Sequence, residues 1–148
     1  FRMSCIYGIR QFGFEDQGWV AHFVISNLLK KPITIYGNGK QVRDILYVED
    51  LVAAYDRFFK SGIGHNVYNI GGGGENTTSL LELIDAIEAE TGVRMSYKFG
   101  DWRPSDQKVY ISDISKVSKE LGWQPKITPS YGVKLLTGWV KDNIGVFK

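Results

Sequence analysis

Residues 66–92, NVYNIGGGGENTTSLLELIDAIEAETG, contain the two patterns that decide the fold class. The apolar run at 66–70 predicts a buried strand. After the glycines, Ser79 and Glu82 have the spacing of a capping box. Apolar residues then recur at three- and four-residue steps until Gly92, so an amphipathic helix is predicted. A strand followed by a helix is the unit from which α/β folds are built.

The same alternation of strand and helix extends outward from this segment in both directions. Glycine, proline and charged residues separate further apolar runs, and such residues mark the ends of elements. The resulting prediction is one α/β domain over residues 1–148, with strands at about 1–7, 33–36, 42–48, 66–70 and 95–99 and helices at about 20–31, 49–59, 79–91, 115–121 and 130–144.

Two of these strands indicate what kind of sheet the chain belongs to. Strands 1–7 and 66–70 are apolar on both faces, which is typical of a sheet that is covered on both sides. Such a sheet needs more strands than this chain supplies. The chain also starts with a strand instead of a polar tail, so we expect it to begin inside a longer protein.

Two further patterns concern a turn and the helix faces. The turn GNGK at 37–40 tolerates positive φ and predicts a hairpin-like connection between the strands on either side of it. Aromatic residues at helical spacing, including Tyr55, Phe59 and Tyr131, are expected to lie mostly in the core.

The composition restricts the classes of function. With 148 residues and 43% apolar side chains, the chain has material for one domain-sized core. The net charge is +2 and the basic residues are scattered, which argues against nucleic acid as the partner. No apolar run reaches the roughly 18 residues that span a bilayer, so no membrane partner is expected. The single cysteine, Cys5, suits a reducing compartment, so a cytoplasmic location is expected.

Two arginines are candidates for binding a diphosphate. Arg43 lies in the segment QVRD, and Arg103 lies sixty residues later in WRPSD. Each guanidinium can donate to two oxygens at once, so two arginines from separate loops would suit a diphosphate. The alternative is that both are solvated surface arginines, one of them paired with Asp44.

The four glycines at 71–74 do not form a dinucleotide fingerprint. The pattern G-x-G-x-x-G requires a glycine at position 76, where the chain has Asn76, and the following helix starts too late to hold a pyrophosphate. We therefore expect a flexible connection between strand and loop. His22 and His65 have no second histidine or cysteine at metal-ligand spacing, so no metal site is expected.

Five segments, in order, resemble the extended short-chain dehydrogenase family of nucleotide-sugar epimerases and dehydratases. They are FRMSCIYGIRQFG, PITIYGNGKQVRDILYVEDL, VYNIGGG, WRPSDQ with YISDISK, and LGWQPKITPSYGV, and they cover nearly the whole chain. The resemblance implies the substrate-binding part of such an enzyme, with strands 1–7 and 66–70 completing a Rossmann sheet whose amino-terminal part lies outside the chain. Within the family, CIYGIRQF and EDQGWVAHF are most similar to the subgroup that interconverts CDP-paratose and CDP-tyvelose by 2-epimerisation.

The resemblance assigns the phosphate contacts to two regions. It implies that Arg43 and Arg103 bind the diphosphate. It also places Gln17, Gly18 and Trp19, at the start of the first helix, near the phosphates, where amide donors at a helix N-terminus would suit an anion.

The contacts to base, ribose and sugar follow from the same resemblance. It implies that Thr34, Ile35 and Tyr36 flank the base and that Asp106 reaches the ribose. Tyr110, just after the WRPSD loop, is expected to line the sugar pocket.

The resemblance also implies an NAD cofactor and a nucleotide diphosphate sugar as substrate, CDP-linked in this subgroup. Cys5 and Tyr7 are weak candidates for contacts to NAD; many relatives have Asn where this chain has Cys5. In the family the Tyr of a Tyr-x-x-x-Lys pair takes a proton from a sugar hydroxyl while NAD accepts the hydride, which gives a transient keto sugar. That pair and the family's Gly-rich NAD fingerprint are assigned to no residue of this chain. We therefore expect no catalytic residue and no turnover in this chain alone, and a homo-oligomeric parent.

Two alternatives stay open. One is a 4-epimerase, a 4,6-dehydratase or a decarboxylase acting on a UDP- or dTDP-sugar. The other is a non-catalytic module for nucleotide-sugar binding or assembly.

Overall fold

The computed structural model describes all 148 residues, and pairs of strands alternate with single helices along most of the chain. The strands are β1 (Arg2–Met3), β2 (Cys5–Tyr7), β3 (Ile33–Tyr36), β4 (Val42–Tyr47), β5 (Asn69–Ile70), β6 (Thr77–Ser79), β7 (Tyr97–Gly100) and β8 (Val109–Tyr110). The helices are α1 (Trp19–Leu28), α2 (Val48–Lys60), α3 (Leu80–Thr91), α4 (Ser115–Leu121) and α5 (Pro129–Asp142), followed by a 3₁₀ turn (Ile144–Phe147).

β4 is the strand around which the fold is organised. Its first half pairs antiparallel with β6 and parallel with β8, and its second half pairs parallel with β2. β3 pairs with β7 and β1 with β5, each as a parallel two-stranded ladder. The α/β class is therefore confirmed, with mostly parallel pairing.

Apolar side chains from the two faces of β4 enter two separate clusters. Ile45 and Tyr47 belong to a cluster of 17 buried residues that includes side chains of α1, α3 and α5. Leu46, which points to the opposite face, belongs to a cluster of eight that includes side chains of α2 and α4. The sheet is thus covered on both sides at β4.

The capping box predicted for α3 is present. The Ser79 hydroxyl accepts the N–H of Glu82 at 3.2 Å, and the Glu82 carboxylate accepts the N–H of Ser79 at 2.7 Å. The bond from the Ser79 backbone lowers the pKa of Glu82 below its usual value. Gly92 ends the helix with φ 70°, a left-handed conformation that favours glycine. Local hydrogen bonds therefore define both ends of this helix.

Three predicted features of the strands and their connections are wrong in detail. The turn at 37–40 is not a hairpin, because β3 pairs with β7 and β4 pairs with β2, β6 and β8. The predicted strand 1–7 is divided at Ser4: the residues before it pair with β5, and those after it pair with β4. Arg2 and Met3 are exposed. The predicted strand 66–70 is reduced to its last two residues. Pairing across the sheet, which no local pattern encodes, decides each of these outcomes.

The prediction that the helical aromatics lie in the core is wrong for three of them. Tyr55 is 48% exposed, Phe59 86% and Tyr131 53%. α2 turns Leu51 and Ala54 towards the buried cluster. Its solvent side carries Val52, Tyr55 and Phe59, which are exposed. No helix in the structure combines the length and the apolar character needed to cross a bilayer.

Candidate functional site

Most of the predicted substrate-binding residues line one cavity of about 210 Å³. The cavity lies between the start of α1, strands β3 and β4, and the loop 101–108. β8 follows this loop and pairs with the start of β4, where Tyr110 lies opposite Arg43. The end of the loop therefore lies beside Arg43. The predicted residues on its wall are Gln17, Gly18, Trp19, Thr34, Tyr36, Arg43, Arg103 and Asp106.

Arg43 reaches the cavity from β4 and is paired with Asp106. Its guanidinium donates to the Asp106 carboxylate at 2.8 Å, and the two side chains are only 17% and 26% exposed. The alternative pairing with Asp44 is wrong, because Asp44 is fully buried and its carboxylate accepts the N–H of Gly73 at 3.2 Å. Partial burial strengthens this ion pair relative to one in open solvent, so Arg43 is held in place.

Arg103 approaches the same cavity from the loop 101–108. Its guanidinium lies 4.0 Å from the centroid of the Tyr36 ring, a cation–π contact. It also pairs with Glu15 at 3.4 Å and with Asp16 at 3.2 Å. The two arginines therefore converge on one cavity, and neither is a freely solvated surface group.

Five residues on the cavity wall were not predicted from the sequence. Gln41 is buried, and its amide donates to the backbone carbonyl of Tyr36 at 2.7 Å, which joins the end of β3 to the start of β4. Glu15 and Asp16 directly precede the predicted segment at 17–19, so their position in the sequence was the available signal. The other two are apolar, Phe23 and Leu80.

Two predicted substrate contacts are not on the cavity wall. Ile35 is fully buried in the core, because side chains alternate along β3 and those of Thr34 and Tyr36 face the cavity. Tyr110 lies opposite Arg43 in the β4–β8 ladder, with its ring partly exposed outside the cavity. The Ile35 side chain therefore does not reach the cavity, and its contact to the base stays a prediction for its backbone alone. The cavity itself does not include Tyr110.

Cys5 and Tyr7, the weak candidates for NAD contacts, lie outside the cavity. The Cys5 sulfur accepts the indole N–H of Trp19 at 2.9 Å, and burial raises the pKa of the thiol to about 11. The Tyr7 hydroxyl donates to the carbonyl of Pro129 at 3.4 Å, and burial raises its pKa. Both groups are engaged with the protein itself. Their role towards NAD stays a prediction.

The glycines at 71–74 do not form a dinucleotide site either. They lead into β6 and not into a helix, and three of the four are buried. A Cβ on Gly71 would overlap the carboxylate of Asp44 and the hydroxyl of Ser112. This connection is therefore packed against β4, and the expectation of a flexible loop is wrong. These four glycines therefore do not fit an NAD pyrophosphate.

One tyrosine and one lysine do occur at the Tyr-x-x-x-Lys spacing, Tyr36 and Lys40. Tyr36 ends β3 and its hydroxyl donates to Glu15, while Lys40 follows a turn in which its N–H bonds the Asn38 side chain. In a helix, residues four apart lie one above the other and can touch, whereas a turn between them does not place them so. This pair is not helical, so it is not assigned as a catalytic pair.

The chain is similar to known proteins over most of its length. The family model of GDP-mannose 4,6 dehydratase matches residues 10–136. The chain is 42% identical to CDP-paratose 2-epimerase of Salmonella typhi over 96% of its length and 44% of that protein. It is 34% identical to UDP-glucuronate 4-epimerase of Thermodesulfobacterium geofontis over 80% of its length and 36% of that protein. The chain thus spans less than half the length of these relatives.

Solved structures show the same fold. UDP-glucose 4-epimerase of Thermotoga maritima, solved with UDP-glucose, is 31% identical with a TM-score of 0.87, over 97% of this chain and 45% of that one. UDP-glucuronic acid 4-epimerase of Bacillus cereus, solved with UDP-glucuronic acid and NAD, is 29% identical with a TM-score of 0.82, over 96% and 44%. The chain therefore belongs to the GDP-mannose 4,6 dehydratase family, among the extended short-chain dehydrogenases that use NAD to act on nucleotide sugars, and has the fold of their carboxyl-terminal, substrate-binding part.

Proposed function

We propose that this chain binds the nucleoside diphosphate of a CDP-sugar and supplies substrate contacts for an NAD-dependent 2-epimerisation that interconverts CDP-paratose and CDP-tyvelose. The observation that carries the proposal is the convergence of Arg43 and Arg103 on one cavity. The 42% identity to a CDP-paratose 2-epimerase supports the choice of base and sugar.

Each arginine has a defined part in binding. Arg43, positioned by Asp106, offers a fork of N–H donors to one phosphate, and Arg103 offers a second fork after exchanging Glu15 and Asp16 for phosphate oxygens. The base then lies against Thr34 and Tyr36 at the β3 side of the cavity, and the ribose lies near Asp106. The oxidation and reduction of the sugar are assigned to no residue of this chain.

A calorimetric titration of the chain with CDP, UDP, dTDP and GDP tests the proposal. We expect CDP to bind in preference to the others and Arg43→Ala with Arg103→Ala to weaken it at least about 100-fold, because hydrogen bonds to charged groups are worth about 1.5–3 kcal/mol each. Lys60→Ala with Arg94→Ala removes the same charge outside the cavity and is the matched control. A folded chain that binds no nucleotide would contradict the proposal.

A second candidate keeps the family and changes the substrate. Relatives that act on other nucleotide sugars include dTDP-glucose 4,6-dehydratase of Salmonella typhimurium, which is 36% identical over 127 residues. Preferential binding of UDP or dTDP in the same titration would favour a 4-epimerase or a dehydratase.

A further inference from the structure

Glu15 lies at the edge of the cavity, where its side chain contacts both Tyr36 and Arg103. Two backbone hydrogen bonds between Phe14 and Gln17, at 2.9 and 3.0 Å, close a tight turn with Glu15 and Asp16 at its tip. The turn faces β3, so the Glu15 carboxylate accepts the hydroxyl of Tyr36 at 2.5 Å. Half of the Glu15 side chain is exposed, and it lies on the cavity wall.

Negative charges outnumber positive charges on the cavity wall, and the excess lies beside Glu15. Arg43 is matched by Asp106, whereas Arg103 is shared between Glu15 and Asp16. Three carboxylates therefore face two guanidinium groups. When a diphosphate takes Arg103, the Glu15 carboxylate keeps the Tyr36 hydroxyl as a donor and has oxygen lone pairs left over, which are acceptors only.

We propose that Glu15 selects the base of the nucleotide by accepting a hydrogen bond from the exocyclic amino group of cytosine. This inference rests on the proposed function, which places the base against Thr34 and Tyr36. Cytosine presents an amino donor at its position 4, and a glutamate is a suitable acceptor for it. Uracil and thymine present a carbonyl oxygen there, which a carboxylate repels. The contact therefore favours CDP over UDP and dTDP.

Asp16 separates this role from a simple charge effect. The Asp16 carboxylate lies 3.2 Å from the Arg103 guanidinium, close to the 3.4 Å of Glu15. The Tyr36 hydroxyl, however, donates to Glu15 and not to Asp16, whose side chain is 79% exposed. Asp16→Asn and Glu15→Gln thus remove the same charge beside Arg103. Only Glu15→Gln replaces an acceptor beside Tyr36 with an amide that can both accept and donate.

The test compares the ratio of the UDP and CDP dissociation constants in three proteins: the unchanged chain, Glu15→Gln and Asp16→Asn. One good base contact discriminates by roughly 10- to 100-fold. We expect Glu15→Gln to lower the preference for CDP at least about 10-fold and Asp16→Asn to leave it within about threefold. Equal strengthening of CDP and UDP by both variants would show that Glu15 acts only on the charge of Arg103, and an unchanged ratio in Glu15→Gln would also overturn the inference.

Two measurements keep the result interpretable. Tyr36→Phe removes the hydroxyl that orients Glu15 and is expected to reduce the preference for CDP in the same direction. Binding of CDP and UDP with equal affinity, both lost in the Arg43→Ala and Arg103→Ala variant, would refute base selection and leave the diphosphate site standing. Binding that does not depend on the arginines would refute the proposed function itself.

Discussion

Replacing Asp50 with alanine is expected to detach the segment before α5 from the start of α2. The buried Asp50 carboxylate accepts the backbone N–H of Lys126 at 3.1 Å and that of Ile127 at 2.9 Å. Hydrogen bonds to a charged group are each worth about 1.5–3 kcal/mol. Because Lys126 is exposed and Ile127 is partly exposed, water recovers some of this loss. We therefore expect Asp50→Ala to lower the free energy of unfolding by about 2–4 kcal/mol.

Urea unfolding followed by far-ultraviolet circular dichroism measures this loss. Asp50→Asn keeps an acceptor and removes the charge, so a loss of about 1 kcal/mol is expected. Asp56→Ala is the control, since Asp56 lies in the same helix with an exposed ion pair to Lys60 at 2.8 Å, worth about 0.5 kcal/mol or less. A loss in Asp50→Ala no larger than that in Asp56→Ala would refute the reasoning.

Two further predictions concern packing and thiol chemistry. A Cβ on Gly132 would overlap the Tyr7 hydroxyl and lie 2.8 Å from the carbon that bears it, so Gly132→Ala is expected to lower the free energy of unfolding by about 1–3 kcal/mol. Gly138→Ala in the same helix meets no atom within 4 Å and should not destabilise the chain. Because burial raises the pKa of the Cys5 thiol to about 11, iodoacetamide should label it at pH 8 at least about 10-fold more slowly in the folded chain than in urea. Because the Cys5 thiol loses its proton at lower pH in the unfolded chain than in the folded one, its contribution to stability falls as pH rises from about 9 towards 11. Equal labelling rates in the folded and unfolded chain would contradict the burial of this thiol.

The helices could be predicted where local interactions define them. α4 spans 115–121 as predicted, and α3 begins and ends at the residues of its capping box and its glycine. Both depend on residues close in sequence. β6 and β8 were missed because they are three and two residues long and exist only through hydrogen bonds to β4. A strand that short has no periodicity to detect.

The candidate site could be predicted in its residues but not in its pairing. The motif resemblance named Arg43, Arg103 and Asp106, which share one cavity. The partner of each arginine was not predictable, because the pairs join residues separated by 63 positions in one case and 88 in the other. The resemblance also names Ile35. Because side chains alternate along a strand, the side chain of Ile35 lies on the face opposite to those of Thr34 and Tyr36.

The amino-acid sequence by itself determined the α/β class, the positions of the helices and the membership of five ordered motifs in one family. These properties follow from periodicity, capping and residue identity, which are local. Only the tertiary structure decided that β3 pairs with β7 instead of β4, and that Glu15 comes to lie against Tyr36 and Arg103. Such contacts depend on which distant segments the buried sheet brings together, because the hydrophobic force that assembles them carries no direction of its own.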